Sequence, residues 1–204
     1  YLACDRERRR RRDADGESSE ARHSPSRTSH VTRRFVAVVV VPRHTSVPTQ
    51  SRPTRRKNPL SDRITVERDG HVLLIGVNRP DKRNAFDLST IEQLGAAYDR
   101  LGAERELRAG VLYGHGNHFS AALGLGEVVP AVAEHGPRAL AGPGRYNPFG
   151  VWGEQVPKPI VMAVQGIAFT LSIELALASD IVIAADDVRF RQLEIARGIM
   201  PFGG

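Results

Sequence analysis

Cysteine is nearly absent: the 204-residue chain carries one, Cys4. Two thiols make a disulfide and several make a cysteine-based zinc centre, so neither forms within one chain, and a reducing compartment, the cytoplasm, is the expected setting. Long apolar runs are missing too. The best candidate, FVAVVVV from Phe35 to Val41, is seven residues long, whereas a bilayer-spanning helix needs about 20, and no membrane association is expected. The opening residues show no apolar run leading to a small-residue cleavage site. Asp5, Glu7, Asp13, Asp15, Glu17 and Glu20 put acids where transit peptides avoid them. The seven histidines follow no metal-ligand spacing, so no metal is expected. No GxSxG and no Walker A pattern occurs, which leaves a triad hydrolase and a P-loop nucleotidase without local support.

The charge that is present is unevenly spread. Residues 1–60 hold 15 Lys/Arg against 6 Asp/Glu, a balance of +9, while residues 61–204 hold 14 against 17, a balance of −3. The basic character therefore belongs to the front of the chain, and the remainder is mildly acidic. Residues 1–61, rich in Arg, Ser, Thr and Pro with RERRRRR at 6–12 and RPTRRK at 52–57, are expected to form a disordered extension. An Arg-rich arm of this kind binds RNA in a salt-sensitive, sequence-tolerant way. Charge runs are more often solvated disorder, however, and a nucleic-acid partner is disfavoured.

Order is expected over residues 62–204. RITVERDGHVLLIGVN gives two alternating runs around Asp69-Gly70, a dipeptide suited to a tight hairpin turn. Leu88, Ile91, Leu94, Tyr98 and Leu101 form the stripe of an amphipathic helix over 88–103. A strand AGVLYG at 109–114 precedes a Gly-rich turn into FSAALGLGEVV, and a mixed helical and loop region follows from about 127 to 155. The apolar strand PIVMAVQG, 159–166, leads into a helix within FTLSIELALASD, 169–180, and a strand DIVIAA, 180–185. Strands alternating with helices predict an α/β core with both sheet faces covered.

VNRPDKRNAF, HFSAALGL, KPIVMAVQGIAF, IELALASDIVIAADDVRF and LEIARGIMPFGG occur in the order, and close to the spacing, of the enoyl-CoA hydratase/isomerase (crotonase) family. The resemblance covers about Arg63 to Gly204. It implies a spiral of ββα turns that binds an acyl-CoA and holds the thioester carbonyl in an oxyanion hole, with no separate cofactor because coenzyme A is part of the substrate. An enolate on a thioester oxygen needs two preorganised donors, which backbone amides at a helix start supply. The resemblance assigns these to the amides of Ala121 and Leu171. It places coenzyme A against Lys82, Arg83, Ala85, Ser120 and Leu123, although an ordinary solvated turn also accounts for Lys82 and Arg83.

Two carboxylates complete the resemblance, Glu174 early in the helix and Glu194 twenty positions later. Hydration of a trans-2-enoyl thioester needs one group to take a proton from water and one to deliver a proton to the α-carbon. Glu174 is expected to position and activate water and Glu194 to deliver the proton. The plainer readings are a dipole-favoured residue at a helix start for Glu174 and pairing with Arg191 or Arg197 for Glu194. A capping box does not account for Glu174, because Leu171 stands three positions earlier. Asp180 is read as orienting backbone at the helix-to-strand junction.

The chain departs from the family pattern at several places. Thr170, Leu171, Ser172 and Ile173 fill positions where the family has glycines, Ala122 replaces a glycine beside the oxyanion donor, Gly124 replaces an acid and Leu193 a proline. A positive φ at Ala122 would cost about 1 kcal/mol. The family continues past IMPFGG through helices that close the acyl pocket and build a trimer interface, so residues 62–204 are expected to be a C-terminally truncated acyl-CoA-binding domain, trimeric or hexameric when complete. An enoyl-CoA isomerase, another crotonase-type CoA lyase and an inactive acyl-CoA-binding scaffold remain open beside the hydratase.

Overall fold

A computed structural model describes residues 37–41, 62–198 and 201, leaving aside the side chains of Val41, Glu127 and Arg197. All of them belong to the second of the two units into which the chain divides, Arg34–Gly204. The expectations for residues 1–36 and 42–61 lie outside the described residues.

The strands are β1 (Ala37–Val41), β2 (Ile64–Asp69), β3 (Val72–Val77), β4 (Ala109–Gly114), β5 (Ile160–Val164), β6 (Ile167–Phe169), β7 (Ile181–Ala185) and β8 (Arg189–Arg191). The helices are α1 (Leu88–Ala103), α2 (Leu125–His135) and α3 (Leu171–Ala178). Six strands form one sheet in the order β1-β7-β5-β4-β3-β2. Every pairing in it is parallel except the β2–β3 hairpin. β6 and β8 pair in parallel as a second small sheet.

The hairpin turn falls one residue later than the Asp69-Gly70 reading. Asp69 pairs with Val72, so the loop is Gly70-His71, and the left-handed geometry rests on Gly70 at φ 58°. α1 forms where its stripe predicts, with Ile91, Leu94, Tyr98 and Leu101 buried against Leu73, Ile75 and Val77 of β3 and Leu112 of β4 in one continuous core. Asp87 opens α1 with a capping box: its carboxylate accepts from Thr90 N–H at 2.8 Å.

Two expectations are corrected. Along β4, β5 and β7 buried residues alternate with half-buried or exposed ones, so in these central strands one face of the sheet is buried and the other is only partly covered by the described residues, while β1 at the edge is exposed on both faces. The expected disorder of residues 1–61 fails for Ala37–Val41, whose β-branched run pairs with β7 from Ala37↔Ile181 to Val41↔Ala185.

Candidate active site

The site is built where the turn after β4 meets the start of α3. Phe119 N–H donates to Gln165 O and Ser120 N–H to Ile167 O, and Phe169 N–H returns a bond to Ser120 O. These bonds dock the FSAAL turn on β6. Gly166, between β5 and β6, permits that approach: it is left-handed, and any side chain there would collide with the carbonyl of Asn117.

The amides of this turn have distinct fates. Ala121 N–H donates to Arg83 O at 2.9 Å, so the amide expected as an oxyanion donor is already occupied. Ala122 N–H reaches Ser120 Oγ at 3.2 Å, and Gly124 N–H bonds Phe86 O at 2.7 Å. Between them, Leu123 N–H has no partner among the described residues. Ala122 O accepts from Phe86 N–H, and in a trans peptide that turns the following amide, Leu123 N–H, to the opposite side. Ala122 takes φ 102°, the strained geometry foreseen for a side chain at this position.

The start of α3 repeats the pattern. Thr170, at φ 49° and ψ −112°, gives no side-chain cap; its N–H donates to Arg191 O and its carbonyl accepts from Ile173 N–H. Leu171 N–H, the first amide of the helix, has no partner among the described residues. Each open amide thus follows a non-glycine residue at positive φ, an arrangement that costs stability and clusters at functional sites.

A cavity of about 520 Å³ lies against both segments. Its wall includes Ala121, Ala122 and Leu123, aliphatic residues of α2 such as Leu125 and Val128, and Leu193. Only Thr170 and Glu194 bring polar side chains to it. Thr170 Oγ1 and Glu194 Oε2 are buried with no hydrogen-bond partner among the described residues.

Of the residues singled out in the sequence, Ala121, Leu123 and Glu194 line this cavity. Glu174 is on the first turn of α3, 4% exposed, and is not part of the wall. The Leu171 side chain packs into the core and Ser172 is fully buried, so of the positions where glycines are filled only Thr170 reaches the cavity. Lys82 and Arg83 are exposed on a 3-10 turn, Pro80–Lys82, and its left-handed cap. Ala85 is half-buried and accepts from Arg79 Nη1 through its carbonyl at 2.6 Å, while Ser120 is fully buried. Asp180 Oδ2 accepts from Ile160 N–H at 2.8 Å, tying the end of α3 to the start of β5.

Two residues that position the site escaped the sequence reading. Asn84, fully buried at φ 54°, accepts from Arg79 N–H and donates to His115 O and His118 O, pinning the 79–86 loop to the loop after β4. The signal was its type, since asparagine is among the few residues at ease in left-handed geometry. Asp87 meets Arg63 Nε and Arg79 Nη1, each at 2.9 Å. Burial pushes its carboxyl up, but the Thr90 hydroxyl and amide together with Arg79 and Arg63 outweigh this and hold it below its ordinary value. Among the described residues no group of three or more His, Cys, Asp or Glu is placed to hold a metal ion.

Comparison with known proteins shows the family. Residues 67–204 match the family model described as enoyl-CoA hydratase/isomerase. Over 143 residues the chain is 30% identical to enoyl-CoA hydratase EchA19 of Mycobacterium tuberculosis, covering 68% of this chain and 52% of that protein. It is 34% identical over 146 residues to carnitinyl-CoA dehydratase of Salmonella paratyphi B, covering 71% and 54%. Among solved structures, a probable enoyl-CoA hydratase/isomerase from Mycobacterium abscessus superposes with a TM-score of 0.64 at 48% identity, covering 70% of this chain and 54% of that one. The chain spans about half the length of the curated relatives it matches.

Proposed function

Since the chain belongs to the enoyl-CoA hydratase/isomerase family, we propose that it adds water to a trans-2-enoyl-CoA. The observation that carries this reading is the pair of open amides, Leu123 and Leu171, each set by a strained residue on the wall of an apolar cavity that holds one carboxylate, Glu194. The acyl chain fills the aliphatic cavity. The two amides bind the thioester oxygen as it gains enolate charge, with Leu123 taking the place first expected of Ala121. Fixed backbone dipoles do this without reorganising, and one such donor contributes roughly 10²–10³ in rate.

Water adds its oxygen to C3 while a carboxylate takes one of its protons, and a carboxyl returns a proton to C2. Glu194 works from the cavity side, and Glu174 supplies the second carboxylate from the first turn of α3. Exposed Lys82 and Arg83 meet the phosphates of coenzyme A, with Ala85 and Ser120 shaping the loop and turn beside them. Coenzyme A arrives with the substrate, and no other cofactor takes part. Exposed Leu177, Phe190 and Ile195 offer apolar surface for assembly as a trimer or hexamer. No helix among the described residues is long and apolar enough to cross a membrane, and we place the activity in the cytoplasm.

That Glu194 alone of the two carboxylates lies on the wall also suits an isomerase, which can move a proton between C2 and C4 with one base. Incubation with a short enoyl-CoA decides between them. Appearance of a 3-hydroxyacyl-CoA is the expected result, a shifted double bond identifies an isomerase, and no reaction of any enoyl-CoA refutes both.

A further inference from the structure

The cavity's two polar side chains share an unusual condition. Thr170 Oγ1 and Glu194 Oε2 are both buried on the wall and both lack a hydrogen-bond partner among the described residues. Buried polar atoms are nearly always satisfied, so two such oxygens on one otherwise apolar wall mark the place where a ligand's polar group completes them. The small sheet joins the two segments that carry them. Phe169 pairs with Arg191 and Thr170 N–H bonds Arg191 O at 2.9 Å, which sets residue 170 beside the segment that reaches Glu194 three positions on.

Thr170 carries a second cost. It is 4% exposed and holds φ 49° and ψ −112°, a conformation that a β-branched residue avoids. A glycine would remove both the strain and the unsatisfied hydroxyl. Among the described residues nothing satisfies that hydroxyl, and the cavity that Thr170 lines is where a ligand group would meet it.

We propose that Thr170 is a binding and positioning residue whose hydroxyl, with Oε2 of Glu194, holds the oxygen that adds to C3 of the enoyl thioester. This inference rests on the acyl-CoA reading above and extends it to a side chain that the reading does not use. One water O–H donates to Thr170 Oγ1 and the other to Glu194 Oε2, leaving an oxygen lone pair for C3. As the O–C3 bond forms, the C2–C3 π pair moves toward the thioester and a water proton passes to a carboxylate. Protonation of C2 then restores the thioester, and the added oxygen, now the 3-hydroxyl, stays between the same two groups.

Calorimetric titration of the full chain with 3-hydroxybutyryl-CoA and butyryl-CoA tests this, because the two ligands differ only by that hydroxyl. The chain is expected to prefer the hydroxy ligand by about fivefold, the value of one net hydrogen bond. Thr170→Val, equal in shape, should sharply reduce the ratio of the two affinities, leaving only what Glu194 supplies, and Thr170→Ser should keep it. If the valine variant does not fold, Thr170→Gly, free of the left-handed strain, must reduce the ratio in the same way. Equal affinity of the unaltered chain for both ligands, or full preference retained without the hydroxyl, overturns the inference alone. Binding of neither ligand overturns the acyl-CoA reading and this inference with it.

Discussion

The amide of Ala121 donates to the carbonyl of Arg83 at 2.9 Å, so the turn after β4 is fastened to the loop after β3 by the group that the family resemblance assigns to the substrate. The open amide lies two residues further on, at Leu123. Replacing that amide with an ester, by incorporating the hydroxy-acid analogue of leucine, should lower kcat for enoyl-CoA hydration by about 10²-fold while leaving the unfolding midpoint nearly unchanged. The same replacement at Ala121 should lower the unfolding midpoint and spare kcat. Equal kcat losses at both positions would contradict the distinction.

Ala122 holds φ 102° only because its neighbours impose it. Ala122→Gly removes a Cβ from that region and should stabilise the fold by about 1 kcal/mol, partly offset by the greater freedom of glycine in the unfolded chain. Urea unfolding of the two proteins measures the difference. A destabilised glycine variant would show that the Cβ packs better than its geometry suggests.

Asp87 links α1 to two arginines. Its folded-state pKa is lowered, so its contribution to stability is present above the unfolded carboxylate pKa of about 3.9 and is lost as pH falls through the folded value. Asp87→Ala should cost about 3 kcal/mol at pH 7, because it strands Arg63 and Arg79 and uncaps the helix. The gap in urea midpoint between wild type and variant should narrow steadily as pH falls from 7 to 3. A gap of constant size across that range would assign the effect to packing.

Asn84 satisfies three backbone groups at once, the amide of Arg79 and the carbonyls of His115 and His118. Asn84→Leu leaves all three without it in a fully buried position and should destabilise by about 3 kcal/mol or more. Amide hydrogen exchange gives a local check: Arg79 N–H should lose protection first.

The parts of this fold that are legible in the sequence are those with long periods. Leu88 to Leu101 repeats at helical spacing and the runs on either side of Gly70 alternate, so α1 and the β2–β3 hairpin follow from pattern alone. β6 and β8, three residues each, are too short to show a period, and their pairing is a long-range event. α2 shows in the sequence only as part of a mixed helical and loop region from about 127, because Gly124, Gly126 and Pro130 blur its period; the helix forms with Pro130 inside it and supplies much of the cavity wall. The FSAAL turn and the start of α3 were visible as sites. Which amide stayed open was not, because that depends on Arg83 O and Phe86 arriving from another loop.

The two carboxylates carry the central claim, and one measurement reaches it most directly: the rate at which the conjugated enoyl thioester of a short enoyl-CoA disappears, for the full chain and for Glu194→Gln and Glu174→Gln separately. The account predicts that the unaltered chain consumes it to a 3-hydroxyacyl-CoA and that each glutamine variant falls by at least 10²-fold while still binding butyryl-CoA. Undiminished hydration in the Glu194→Gln chain would contradict it.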